Sequence, residues 1–377
     1  MRVLHIVPSY VPAYRYGGPI YSVHALCQAL TRQPNISLEV WTTSVDGPND
    51  LAVPLATVLM VEGVQVRYFK VPNLRRLFYA PSMAAALRKE VAGFDLLHLH
   101  SVYLYPTYSA AKTAQALGRP YVWSPRGMLV PELINGRNSL LKRAQIALFE
   151  RNNLKRASLL HFTSAAESQD YARCKLPKRP ELVLENGVDA PALPALPAAR
   201  SGLLFVGRIS WKKGLDRLLG ALALLPQALI LSIAGNDEEN LQPQLMQLAV
   251  QLGVNTRVRW LGSVLGPAKW QLYSQAAVTV VPSLSENFGN VVAEALAMGC
   301  PVVTTPGVGA STVVENCDAG EICDGSSDAL ATAIARLLAA DDAPARSARA
   351  SAHVRSTLGW DAIAQRMTSA YRDVLAH

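Results

Sequence analysis

Apolar positions in this chain follow two periods that take turns. Short runs of leucine and β-branched residues alternate with longer stretches in which apolar residues recur at i, i+3 and i+4. In the first half the runs are 3–7, 38–42, 64–69, 96–100, 121–124, 159–163 and 182–185, and they predict strands. Helical spacing fills 19–30, 103–117 and 139–156. The stretch from Ala190 to Arg200 then carries Pro191, Pro194 and Pro197. Proline lacks the amide donor and fixes φ, so this segment predicts an extended linker. From Leu203 the alternation restarts. Strands are expected at 203–206, 230–234, 258–261, 278–282 and 302–304, with helices near 214–225, 240–252, 267–275, 289–298 and 327–340. A last helix, 360–375, follows the break at Gly359.

Two successive α/β series joined by a proline-rich linker imply two Rossmann-like domains whose parallel sheets face an interdomain cleft. The first is expected over 1–195 and the second over 200–358, with helix 360–377 packing on either, including back on the first. In open α/β sheets ligands bind beyond the carboxyl ends of the strands, so the loops that follow strands are where chemistry is sought.

Composition narrows the class. At 377 residues, 50% hydrophobic and 17% charged, the chain is long enough for two cores and is neither a disordered, a collagenous nor a disulfide-stapled sequence. The first residues read as a strand rather than a secretory leader. The longest apolar stretch, 221–234, is too short to span a bilayer and is interrupted by Pro226. Five scattered cysteines (Cys27, Cys174, Cys300, Cys317, Cys323) lack a C-x-x-C pair, which predicts small buried thiols and a reducing, cytoplasmic setting.

Charge is distributed unevenly. Residues 1–199 hold 22 Lys/Arg against 13 Asp/Glu (+9), and residues 200–377 hold 14 against 15 (−1), which together give the net +8. A basic half favours an anionic partner. Segments such as Arg75-Arg76-Leu77-Phe78-Tyr79 and Lys142-Arg143 mix cations with apolar and aromatic residues, a combination suited to an anionic membrane surface. Aromatic content is low (7%) and no helix-turn-helix or RNP-like feature stands out, so nucleic acid is not expected.

Two segments carry the candidate chemistry. In Leu203–Gly214 a strand ends in a glycine turn, and Arg208, Lys212 and Lys213 precede the next helix. Cations on a loop that leads into a helix N-terminus suit a diphosphate. In Val281–Pro301, Glu286 sits in the loop after a strand, and Asn287, Phe288 and Gly289 lead to a helix opening at Asn290 and Val291 and carrying Glu294. That helix is otherwise small and apolar, so its glutamate needs a polar partner, for which a ligand hydroxyl is suited. A glycosidase pair fits poorly, because eight helical residues rise about 12 Å while hydrolase carboxyls lie about 5–9.5 Å apart.

Glu286-x7-Glu294, with Asn287-Phe288-Gly289-Asn290 between, resembles the E-x7-E motif of retaining glycosyltransferase family 4, which has the GT-B fold. Arg208 and Lys213 are similar to that family's phosphate-binding G-R-x-x-x-x-K-G element. Tyr16-Gly17-Gly18-Pro19 resembles its N-terminal glycine loop, and Asn186-Gly187-Val188-Asp189 its interdomain turn. The resemblance implies that Arg208 and Lys213 neutralise a leaving nucleoside diphosphate, that Glu286 binds sugar hydroxyls and that Glu294 binds the ribose. It implies no cofactor beyond a UDP- or GDP-linked sugar as co-substrate, and no metal. The sequence agrees in containing no Asp-x-Asp. One departure is Pro125-Arg126-Gly127-Met128 in place of the family's usual His-Gly, as in a recognisable subgroup. Arg126 is a permanent cation and a poor general base, so it is expected to bind a phosphate or an anionic acceptor.

His98 and His100 alternate along one strand and share a face. With no third ligand in view they predict packing or a polar contact rather than a metal site, and His5 reads as a core residue. His100, last on its strand, and Tyr103 after it are acceptor-side candidates.

The whole reads as a metal-independent hexosyltransferase acting on a cytosol-facing, lipid-linked glycan in polysaccharide or O-antigen biosynthesis, cytoplasmic and peripheral on the inner face of the plasma membrane. An epimerase or hydrolase on the same fold, and a non-catalytic nucleotide-sugar-binding protein, are the competing readings.

Overall fold

The computed structural model describes residues 1–136, 139–192 and 200–376, so most of the proline-rich linker (193–199) lies outside the described residues. The chain forms two compact units, Met1–Gly187 with Trp360–His377, and Val188–Gly359.

In chain order the first unit contains β1 (Arg2–Ile6), β2 (Ser37–Thr43), β3 (Val45–Asp46), β4 (Asn49–Asp50), β5 (Val58–Val61), β6 (Val64–Phe69), β7 (Leu96–His100), β8 (Tyr121–Ser124), β9 (Leu159–Phe162) and β10 (Glu181–Val183). Eight of these make one sheet in the order β10-β9-β8-β7-β1-β2-β6-β5, while β3 and β4 pair separately. All neighbours run parallel except the edge pair β5–β6. The central strands are buried on both faces, which explains their continuous apolar reading. Helices cover the sheet, and Trp41, Phe69, Trp123 and Phe162 fill its core.

The second unit contains β11 (Leu203–Val206), β12 (Leu231–Ala234), β13 (Val258–Gly262), β14 (Val278–Val281), β15 (Val302–Thr304) and β16 (Gly320–Ile322). They form a fully parallel sheet in the order β13-β12-β11-β14-β15-β16. Its core gathers Phe205, Leu218, Leu222, Ile233 and Val280. Both units are therefore Rossmann-like α/β layers, as the alternation predicts.

Each sheet reverses its winding once. In the second unit the chain builds outward from β11 to β13, then returns to lay β14 on the other side of β11. In the first unit β1 has β2 on one side and β7 on the other. Such a switch point leaves a crevice at the strand ends, because the two flanking loops depart in opposite directions.

Two differences from the sequence reading are local, and the last helix takes one of the two placements expected for it. The expected helix 139–156 is one run interrupted by a π-helical turn: Ser139–Gln145, Ile146–Glu150, Arg151–Arg156. Helices Pro81–Glu90, Ala165–Arg173, Ser311–Cys317 and Ala343–Thr357 were unexpected. Finally, helix Trp360–Ala376 belongs to the first unit, where Trp360 packs on Gly187.

Candidate functional site

In the second unit, four neighbouring strand ends contribute to one cluster. Arg208 and Lys213 follow β11, Glu238 follows β12, Glu286 follows β14, and Gly307 follows β15. Lys213 Nζ lies 2.8 Å from Glu286 Oε1, and each side chain is 17% exposed, enough to meet a ligand while remaining largely held by the protein. Ser283 Oγ donates to the same Oε1 at 2.6 Å. The Glu286 backbone is pinned on both sides, its amide to Gly307 O (2.9 Å) and its carbonyl from Gly309 N (3.0 Å). Leu284 N donates to Lys212 O (2.8 Å), tying the two switch-point loops together.

Glycines permit this approach. Gly214 has φ +67°, and a Cβ there would run into the Pro282 carbonyl. Gly289, at φ +93°, caps helix Asn290–Ala297, and a Cβ would sit 2.6 Å from Val308 Cγ1. Phe288 is buried, and its carbonyl accepts from Ala310 N (2.6 Å). Asn287, Asn290 and Val291 are half-buried around the helix start, and both asparagines are engaged by neighbours.

Arg208 stands further out. Its side chain is 57% exposed and its guanidinium meets Glu238 Oε2 at 3.2 Å, with Asn236 Nδ2 donating to the other oxygen at 2.7 Å.

The partner expected for Glu294 turns out to be the protein itself. Lys269 Nζ and Tyr273 Oη each lie 2.8 Å from one of its carboxylate oxygens. Burial, reinforced by the Glu294 charge, pushes the Tyr273 hydroxyl well above its ordinary pKa, so it remains a donor. The Lys269 and Glu294 side chains are about one-fifth exposed (21% and 18%), which leaves an edge of the pair for a ligand. Lys269 and Tyr273 share a face of helix Gly266–Gln275 at i, i+4 spacing, the signal that would have found them.

The switch point of the first unit is built differently. His5 on β1, His98 and His100 on β7, Ser124 on β8 and His161 on β9 are all buried at neighbouring strand ends. A continuous hydrogen-bond chain joins them. His100 Nε2 meets His5 Nδ1 (3.0 Å), and His5 Nε2 meets Tyr371 Oη (3.2 Å). Tyr371 Oη meets His98 Nδ1 (2.6 Å), and His98 Nε2 meets Ser124 Oγ (2.7 Å). Ser124 Oγ then meets His161 Nδ1 (2.7 Å), whose Nε2 donates to Leu184 O (3.0 Å). Burial holds all four imidazoles neutral: His5 and His161 are lowered to about 3, and His98 and His100 lie well below the ordinary value.

Arg126 borders this chain in a left-handed turn (φ +58°). Its guanidinium faces His100 Nδ1 (3.4 Å) and Asn186 Oδ1 (3.1 Å). Glu167, a buried carboxylate, fixes the turn by accepting from Gly127 N (2.5 Å) and Thr163 N (2.7 Å). Arg126 is half-buried, and among the described residues no carboxylate forms an ion pair with it.

His5, His98 and His100 offer nitrogens within 4.8 Å of one another, so a third histidine joins the two that the sequence singled out. These nitrogens are already engaged, and the Arg126 cation beside them opposes a second positive charge. The chemistry of the set therefore suits a relay of neutral donors and acceptors.

Tyr103 does not offer its hydroxyl outward. The Oη is buried without a partner, while the Tyr103 amide donates to Glu150 Oε1 (2.9 Å) and its carbonyl accepts from Gln145 (2.8 Å). Gly17, at φ +75°, caps helix Gly18–Thr31 next to the Tyr14–Tyr16 turn. All five cysteines are free; Cys27, Cys300 and Cys317 are buried, and Cys174 and Cys323 half-buried. Among the described residues no helix is long and apolar enough to cross a membrane.

Comparisons with known proteins agree with this architecture. The model for glycosyl transferase 4-like domains matches residues 17–187, and that for glycosyl transferases group 1 matches 195–354. D-inositol 3-phosphate glycosyltransferase of Thermomonospora curvata is 37% identical over 204 residues, 50% of this chain and 47% of that protein, so the match spans about half the relative's length. The enzyme of the same name from Mycolicibacterium smegmatis is 28% identical over 91% of this chain and 83% of its own. Sucrose-phosphate synthase of Thermosynechococcus elongatus superposes with a TM-score of 0.76 at 22% identity, covering 100% of this chain and 99% of that one. Anabaena HepE, solved with UDP and glucose, gives 0.74 at 23% identity, covering 99% and 100%. With both units matched in order by the two family models and the fold by these neighbours, the chain belongs to the GT-B glycosyltransferases of the family 4 type.

Proposed function

We propose that the protein is a retaining, metal-independent hexosyltransferase. It takes its sugar from a UDP- or GDP-linked donor and passes it to a lipid-linked or otherwise phosphorylated glycan. Its setting is the cytoplasm, peripheral on the inner face of the plasma membrane, and its product feeds polysaccharide or O-antigen assembly. The observation that carries the reading is the Lys213–Glu286 pair, a cation and a carboxylate 2.8 Å apart at the switch point of the second unit.

A nucleotide sugar presents phosphate and hydroxyls side by side, and this pair offers each its complement. Lys213 and Arg208 meet the charge that develops on the β-phosphate as the glycosidic bond breaks, and Glu286 accepts from sugar hydroxyls. Glu294, held by Lys269 and Tyr273, keeps lone pairs for the ribose diol. Lysine gives a compact charge, while Arg208 can swing from Glu238 to grip phosphate oxygens in bidentate fashion. The HepE neighbour solved with UDP-glucose supports this donor class.

Acceptor binding belongs to the first unit. Arg126 is its half-buried cation without an ion pair and takes the anionic group, with His100 and Asn186 orienting the guanidinium. The relatives named for D-inositol 3-phosphate support an acceptor that is a polyol bearing phosphate.

A thermal-shift screen of UDP- and GDP-sugars, followed by turnover with the best binder, tests the proposal. A donor that stabilises the wild type, fails to stabilise Lys213→Ala, and is turned over many-fold faster with an acceptor supports it. Donor turnover indifferent to any acceptor would instead make the protein a hydrolase or epimerase.

A further inference from the structure

Among the described residues, the first unit carries an apolar, cationic face that its packing leaves exposed. Along residues 139–156, Leu140, Leu141 and Leu148 are 81%, 67% and 72% exposed, far beyond what a solvated helix gains from leucine. The same segment holds Lys142, Arg143, Arg151, Lys155 and Arg156, while its one acid, Glu150, points inward and is buried. Every exposed charge on it is therefore positive.

Aromatic contacts extend this face to a second segment distant in sequence. Phe149, itself 43% exposed, meets the Tyr108 ring edge-on at 5.5 Å. Tyr105, one turn before Tyr108 on helix Tyr105–Ala116, meets Tyr79 at 4.6 Å. Tyr79 closes the basic segment Arg75–Tyr79, where Leu77 and the preceding Leu74 are again exposed (43% and 62%). Arg88 stands beside Tyr105. The two clusters that the sequence shows separately thus form one surface: leucines outermost, half-buried tyrosines along the seam, cations at the flanks.

We propose that this face seats the protein on an anionic lipid bilayer, with Leu140, Leu141 and Leu148 entering the headgroup–acyl boundary and Arg143, Arg151, Lys155 and Arg156 meeting lipid phosphates. Each feature has its complement there. Leucines gain by leaving water, tyrosines suit the interface, and cations suit a negative surface potential. A second copy of the chain fits poorly, since a symmetric contact would set like charges against each other. The inference deepens the proposal of a lipid-borne acceptor but does not depend on transfer chemistry.

Flotation of the full chain with vesicles tests it. Wild type is expected to float with phosphatidylcholine vesicles containing phosphatidylglycerol at low salt, at least about tenfold more tightly than with phosphatidylcholine alone. Leu141→Ser/Leu148→Ser should weaken that binding by about tenfold or more, with unchanged circular dichroism. Arg151→Glu/Lys155→Glu should flatten its salt dependence. Absence of flotation at low salt would overturn the proposal, as would undiminished flotation of the serine variant. So would a wild type that fails to float but sediments as a dimer which the serine variant loses. Transfer to a water-soluble acceptor should be unaffected in the serine variant. Flotation without transfer would overturn the activity reading alone, and transfer without flotation the membrane reading alone.

Discussion

The two switch points solve the same electrostatic problem in opposite ways. In the second unit three cations near the strand ends already have a carboxylate: Lys213 with Glu286, Lys269 with Glu294, Arg208 with Glu238. In the first unit the strand ends carry neutral imidazoles, and Arg126 beside them has no carboxylate at ion-pair distance among the described residues, although the buried Glu167 charge acts on it. Paired charges keep a partly open site polar and aimed, and a ligand must join or replace a partner. Suppressed charges keep a buried site cheap to fold, leaving one guanidinium for one anionic group. The first arrangement suits a ligand with several charged and polar groups, the second a mostly uncharged polyol.

The sharpest way to break this comparison is at Lys213. Lys213→Ala should lower transfer by about 10²–10³, as expected for loss of a preorganised charge at a developing oxyanion. Glu286→Gln should fall comparably, and the double variant well short of the product, because the two act as one unit. Steady-state rates on all four proteins measure it.

Next comes acid. A histidine whose folded pKa lies below its unfolded value of about 6.5 is neutral in the folded state while the unfolded chain binds a proton. Its contribution is therefore fully present above pH 6.5 and is lost as pH falls toward 3. At pH 5 His5 and His161, lowered to about 3, each cost about 2 kcal/mol, or roughly 4–8 °C in Tm for a unit of this size, and His98 and His100 act in the same direction. Scanning calorimetry from pH 8 to pH 5 should show the first unit's transition falling while the second, which lacks such a cluster, holds.

Arg126→Met should raise the acceptor KM by about tenfold, the size expected for loss of a charge-assisted hydrogen bond, while the donor-induced thermal shift is retained. Lys269→Met removes one of two holds on Glu294 and should weaken nucleotide binding by a few-fold to about tenfold, read by calorimetric titration. The smallest effect is at Glu150, whose carboxyl burial pushes up to about 7. A folded pKa raised above the unfolded value gives stability that is present below about 4.5 and lost as pH rises through 7. Glu150→Gln should therefore raise Tm by a few degrees at pH 8 and leave it unchanged at pH 4.5.

Much of the second unit's site was legible because its residues are close in sequence and follow strands. Arg208, Lys213 and Glu286 lie in two loops, and the β11–β14 order brings those loops together. Tyr273 and Lys269 were missed because a glutamate on an apolar helix announces only that it needs a partner, not which one. The first unit was harder to read. His5, His98, His161 and Tyr371 come from four well-separated segments of the chain, and each alone looks like a packed core residue. Only the parallel register, which sets His5 beside His98, makes them one system. The π-helical turn at Ile146–Glu150 was invisible to a 3.6-residue period, since it adds a residue without changing composition. The strand Gly320–Ile322 and helix Ala343–Thr357 carry too little periodic apolar signal to stand out.

The return of helix Trp360–Ala376 to the first unit has a consequence for how the chain is made. Tyr371 supplies the phenol that joins His5 to His98, so that junction stays open until the final turns have left the ribosome. The second unit is contiguous and emerges whole before then. Closure of that junction therefore waits on a helix translated after the whole of the second unit.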